Sequence, residues 1–116
     1  MVNEDDMGAG DQGLMFGYAT DEWDTDTLHP YSHVLANQIV ELMATLRKDG
    51  TMPWLRPDVK SQVIVEYEKL ANGHVKPTSV YNILISTQHD TTVTQEDIRV
   101  ALTEQVIKKI VPENML

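Results

Sequence analysis

The chain has 116 residues, enough for one domain and too few for two. It carries 18 acidic and 9 basic side chains and no cysteine, which excludes a disulfide scaffold, thiolate-bound zinc and a thiol nucleophile. The net charge of -9 arises entirely before Arg47, and with no basic patch neither nucleic acid nor an anionic membrane is an expected partner.

Val2-Asn3-Glu4-Asp5-Asp6 lacks the basic and apolar regions of a signal peptide. No apolar run approaches the ~18 residues of a membrane span. A globular, cytoplasmic protein is expected. From Met1 to His29 the sequence is acidic and turn-rich. One apolar stretch, Leu14-Met15-Phe16-Gly17-Tyr18-Ala19, interrupts it; it is short and broken by Gly17, which predicts a strand. Thr20 to Asp26 reads as a loop. Pro30 suits the first turn of a helix, where its missing N–H costs nothing. Leu35, Ile39, Leu42 and Leu46 form that helix's apolar stripe, widened by Val34 and Met43. Arg47 and Lys48 suit its last turn and Gly50 the residue just past its end.

Pro53 and Pro57 exclude helix around Trp54. Val63, Val65 and Tyr67 then alternate with Gln62, Ile64 and Glu66, the period of a strand. Ala71-Asn72-Gly73 is a turn signal. A second strand follows, with Tyr81, Ile83 and Ile85 expected on one face and Val80 and Leu84 on the other. The two strands should form a hairpin. Thr94 is a suitable N-cap for a last helix, built on the ladder Ile98, Leu102, Val106 and Ile110. Pro112 stops it. The order strand, helix, strand, strand, helix predicts an α+β two-layer sandwich, with a small, mostly antiparallel sheet and helices on one face. That order resembles a ferredoxin-like split unit without its last strand.

Gly8-Ala9-Gly10-Asp11-Gln12-Gly13 matches the spacing G-x-G-x-x-G. No strand precedes it and no helix follows, so the dinucleotide mechanism fails, and Asp11 would oppose a bare phosphate. A flexible turn, or a close backbone approach to a small ligand, fits better. Asp11 would then address an ammonium, a sulfonium, a hydroxyl or a metal. Asp58-Val59-Lys60 admits two readings: a solvated ion pair at a strand entrance, or a nucleotide contact. In the second, Lys60 meets a phosphate and Asp58 accepts from a ribose hydroxyl. His29, His33, His74 and His89 show no complete metal motif. Glu22, Asp24 and Asp26 alternate like calcium ligands, but Thr27 stands where the loop glycine belongs and His33 where the closing glutamate belongs. A solvated acidic loop is the reading retained.

Three ordered blocks carry a family resemblance: Gly8 to Glu22 (GAGDQGLMFGYATDE), Gly50 to Val63 (GTMPWLRPDVKSQV) and Ser86 to Asp90 (STQHD). With them the chain resembles the S-adenosylmethionine synthetase (methionine adenosyltransferase) family, in its central domain. The resemblance implies residues 1–13 as the end of a preceding region and 14–116 as one of three similar domains in a longer enzyme, with Met1 an arbitrary start. That enzyme makes S-adenosylmethionine, phosphate and diphosphate from ATP, L-methionine and water, assisted by Mg²⁺ and K⁺. Its subunits pair through their sheets, as a homodimer or a dimer of dimers. By the same resemblance, Asp11 is a catalytic residue at the methionine, and Asp58, Val59 and Lys60 are ATP contacts, Lys60 also catalytic. Val59 stands where the family usually has a smaller residue, and Trp23 where it has Thr. No metal ligand is expected in this fragment, since the family's GHPDK segment is absent from it. The fragment alone should be inactive. The alternative is a non-catalytic assembly or binding module that pairs through its sheet.

Overall fold

A computed structural model describes residues 13–116. Helix α1 spans Tyr31–Lys48, strands β1 and β2 span Leu55–Lys69 and Val75–His89, and α2 spans Gln95–Leu102. A π-helical turn, Thr103–Ile107, joins α2 to the short α3, Lys108–Ile110, and a 3₁₀ turn follows at Glu113–Met115. The fold is α+β in two layers, with an antiparallel two-stranded sheet.

The stripe of α1 buries Tyr31, Leu35, Ile39, Met43 and Leu46. Met43 takes the place expected for Leu42, which is half-buried. Pro30 is the N-cap, not the first helical residue, with ψ at 142°. It offers no side chain to the free N–H groups of the first turn. Glu22 replaces that cap from a distance, its Oε2 accepting from the Tyr31 N–H at 3.3 Å. Gly50, at φ 84°, ends the helix in the left-handed region that costs glycine nothing.

The hairpin tip is closed by the Leu70 N–H donating to the His74 carbonyl at 2.8 Å, with Gly73 at φ 84°. Three irregularities interrupt the ladder. Ile64 pairs with Asn82 and Val65 with Val80, so Tyr81 is an extra residue. Such a bulge reverses the alternation of faces. Val80 therefore points inward with Ile83 and Ile85, while Tyr81, 69% exposed, points outward with Leu84. This corrects the expected division of β2, which had Tyr81 beside Ile83.

The inward face carries two contiguous clusters. One joins Ile39, Met43 and Leu46 of α1 to Met52, Leu55, Ile98, Leu102 and Val106, with Val59, Val63 and Ile85 packed against it. The other joins Tyr31 and Leu35 to Val111 and Met115. Ser61 ties β1 to α1, its Oγ donating to the Ala36 carbonyl at 2.8 Å. The last helix follows the ladder read from its sequence, with Ile98, Leu102 and Val106 buried and Ile110 half-buried. A strict four-residue ladder drifts about 40° per step around an α-helix of 3.6 residues per turn. The wider π turn absorbs that drift and keeps all four side chains toward the sheet.

The expected strand Leu14–Ala19 is not part of the sheet. Leu14, Met15 and Phe16 are nearly fully exposed, and neither edge of the hairpin receives them. Apolar, β-prone composition permits pairing but does not supply a partner.

Thr94 caps α2 in a reciprocal box. Its Oγ1 accepts from the Asp97 N–H at 3.2 Å, and the Asp97 carboxylate accepts from the Thr94 N–H at 3.0 Å. These bonds hold the Asp97 carboxyl below its ordinary value. A depressed folded pKa adds stability that is complete above the unfolded value, about 4, and is lost as pH falls through the folded one. Thr94→Ala should cost about 1 kcal/mol, as N-cap losses usually do. Urea midpoints at neutral pH and at about pH 3 check it, and the deficit of the variant should shrink in acid.

Candidate functional site

Asp58 and Lys60 sit on the outward face of β1, the face opposite the helices, and both are exposed. Two residues apart on one strand, they share a face by the strand period. Asp58 lies in the wide irregularity of the ladder. Leu55 pairs with His89 and Val59 with Thr87, so Arg56, Pro57 and Asp58 together oppose Gln88. Pro57 explains the interruption, since it has no N–H for the ladder. Lys60 is back in register, opposite Ser86.

A shallow groove of about 230 Å³ is lined by Asp58, Lys60, Ser86, Thr87 and Gln88. Ion pairs among the described residues join His74 to Asp21 and Lys108 to Glu104. Neither includes Asp58 or Lys60, so the two charges face solvent in the groove and do not neutralise each other. Val59 points the other way and packs against the first core cluster. Only its backbone is available to a ligand on the outer face. The structure thus brings Asp58 and Lys60 together and adds Ser86 and Gln88 of the STQHD block, whose spacing alone implies no role. Asp11 lies outside the described residues.

The far end of the block is fixed by its turn. The Asp90 N–H donates to the Trp54 carbonyl at 3.0 Å, and the Asp90 carboxylate accepts from the backbone and hydroxyl of Thr92. Those bonds, with the nearby Arg56 charge, hold the Asp90 carboxyl below its ordinary value. His89 Nδ1 lies 2.7 Å from the Asp90 carbonyl. A carbonyl can only accept, so Nδ1 carries the proton.

Glu22 and Asp24 of the acidic segment have structural partners. Asp24 accepts from the Asp26 N–H at 2.9 Å and from the Thr27 hydroxyl at 3.2 Å, an Asx-type turn. Glu22 caps α1 and lies against the Tyr67 hydroxyl, whose pKa is pushed up to about 12, first by burial and then by Glu22. Trp23 stacks on Tyr31 with centroids 4.0 Å apart. Among the described residues, no three His, Asp or Glu side chains converge as a metal site. His29 and His33 meet edge to face at 5.3 Å.

A second concavity, of about 480 Å³, lies at the opposite end of the hairpin between Tyr18, Asp21, Leu28 and His74. Among the described residues its only charge contact is the exposed His74–Asp21 pair at 3.9 Å. No described helix is long and apolar enough to cross a membrane.

The groove residues lie within the Gly50 to Val63 and Ser86 to Asp90 blocks, and a sequence profile of one family spans both. The profile described as S-adenosylmethionine synthetase, central domain, matches residues 6–116. The match covers almost the whole chain, and the chain therefore belongs to the S-adenosylmethionine synthetase family, as a central domain.

Proposed function

We propose that the chain works as the central domain of a methionine adenosyltransferase and forms one wall of its ATP site. Asp58 and Lys60, unpaired with each other in one outward groove, carry this reading. In the reaction, the methionine sulfur bonds to the ribose C5′ as the bond from C5′ to the triphosphate oxygen breaks. The sulfur becomes a sulfonium, and the triphosphate leaves with the bonding electrons. Water then cleaves the triphosphate to diphosphate and phosphate. Lys60 faces the departing polyanion as a mobile point charge. Asp58 accepts from a ribose hydroxyl and fixes the sugar. Asp11, by the family resemblance, stands beside the methionine, where a carboxylate favours the developing sulfonium. Residues 1–13 would close the preceding region and 14–116 form the domain.

Mg²⁺ and K⁺ belong to the proposed parent reaction. The donor set of the described residues does not fit them, because among these Asp58 is the one carboxylate lining the groove and Lys60 is beside it. No step through a metal is assigned to this domain. The outward face also exposes Ile64, Tyr81 and Leu84. Subunits of a homodimer, or of a dimer of dimers, pairing through this face would place the groove at their seam, where both could contribute to one site. The same apolar residues favour a second reading, a module that pairs through its sheet and has no chemistry.

The 116-residue chain, supplied with ATP and L-methionine, should form no detectable S-adenosylmethionine. Product above background would overturn the view that it is one part of a larger site. Light scattering over a range of concentrations tests the pairing face, and a strict monomer would count against it.

A further inference from the structure

We propose that Ser86 and Gln88 are nucleotide contacts, and that β2 thereby shares with Asp58 and Lys60 of β1 the hold on ATP along the groove. The proposal rests on the nucleotide reading of Asp58 and Lys60 given above. Its observation is the register of the hairpin. Lys60 and Ser86 are directly opposed, and Gln88 opposes the Arg56–Asp58 irregularity. All four polar side chains are exposed and line one groove. Directly opposed residues on one face of an antiparallel pair have Cβ atoms about 5 Å apart, close enough to grip one ligand group together.

The two rungs differ in chemistry. Lys60 and Ser86 offer an ammonium and a hydroxyl, both donors to phosphate oxygens. Asp58 and Gln88 offer a carboxylate and an amide, which suit sugar hydroxyls, and the carboxylate opposes a phosphate. The rungs are two residues apart on β1, about 7 Å along the strand. The polyphosphate therefore lies at the Lys60 rung and the ribose at the Asp58 rung. The reverse orientation would set phosphate against a carboxylate. Thr87, between them, also borders the groove, but it is half-buried and its hydroxyl proton is spent on the Gln88 carbonyl at 3.1 Å. That leaves Ser86 and Gln88 as the β2 side chains available to the ligand.

Amide NMR titrations of the 116-residue chain with inorganic triphosphate and with ATP test this. Ser86→Ala should weaken both ligands about tenfold, the low end for a hydrogen bond to a charged group at an exposed site. Ser86→Thr, which keeps the hydroxyl and suits a strand, should restore most of that loss. Gln88→Ala should weaken ATP several-fold and leave triphosphate unchanged. Signals away from the groove report whether each variant folds. If Lys60→Ala abolishes binding while Ser86→Ala and Gln88→Ala change nothing, the assignment to β2 is wrong and the nucleotide reading stands. If neither ligand shifts the Lys60 and Ser86 amides, or Lys60→Ala binds normally, the nucleotide reading falls and this proposal falls with it.

Discussion

Lys60→Ala, made in an intact synthetase carrying this domain, should lower kcat/KM for ATP by about 100- to 1000-fold, the usual loss when one preorganised charge-stabilising group is removed. The physical reason is the leaving group. As the C5′–oxygen bond breaks, negative charge grows on the triphosphate, and a cation there acts more strongly on the transition state than on bound ATP. The loss should therefore appear in kcat as well as in KM. Lys60→Arg keeps the charge but replaces a compact ammonium by a planar fork, so it should recover only part of the rate. Lys76, also exposed on the sheet but opposite Glu68 near the hairpin tip, is the control. Its replacement by alanine should leave kcat/KM within about twofold, as a surface change away from the site should. Equal effects at Lys60 and Lys76 would mean that Lys60 contributes only general surface charge.

How far the sequence could be read depended on whether a feature is local. The α1 stripe repeats within one helix, and Gly50 marks its end by a conformation few other residues tolerate, so both were legible. The Thr94 box was legible in part, because Thr94 is a recognisable cap while the reciprocal Asp97 bond needs geometry. The bulge at Tyr81 was not, since no glycine or proline marks it, yet it exchanges the faces of Val80 and Tyr81. The π turn has a signal in the sequence, a four-residue ladder too strict for a straight α-helix. Glu22 was misleading for a different reason. Its place in an acidic run reads as a solvated loop, but its partners, Tyr31 and Tyr67, come from α1 and β1 and cannot be inferred from spacing.

The site divides in the same way. Asp58 and Lys60 are two apart on one strand, so their common face follows from the period alone. Ser86 and Gln88 reach them only through the register of a hairpin with three irregularities. An error of one residue would have set Thr87 opposite Lys60 and turned Ser86 toward the core.

Ile39→Ala should destabilise the domain by about 3 kcal/mol, within the range for buried Ile and Leu truncations. Ile39 is 0% exposed and lies where α1 meets Leu102 and Val106 of the last helix, both in its core cluster. Removing its branch leaves a void between two helices and the sheet, and neighbours held by three elements can fill it only in part. Against a total of about 5–15 kcal/mol, such a loss shifts the urea midpoint substantially while leaving the slope unchanged. Met43 and Leu42 separate the observed stripe from the expected one. Met43 is 2% exposed and Leu42 is half-buried. Met43→Ala should cost about 2–3 kcal/mol and Leu42→Ala about half of that. The opposite ranking would mean that α1 is rotated by about 100°, the angle between adjacent residues on an α-helix. The outward groove should meanwhile keep its form, because the core truncation lies behind the sheet. A variant that is weakened in urea but still shows the Lys60 and Ser86 shifts with triphosphate would separate the domain's stability from its binding surface.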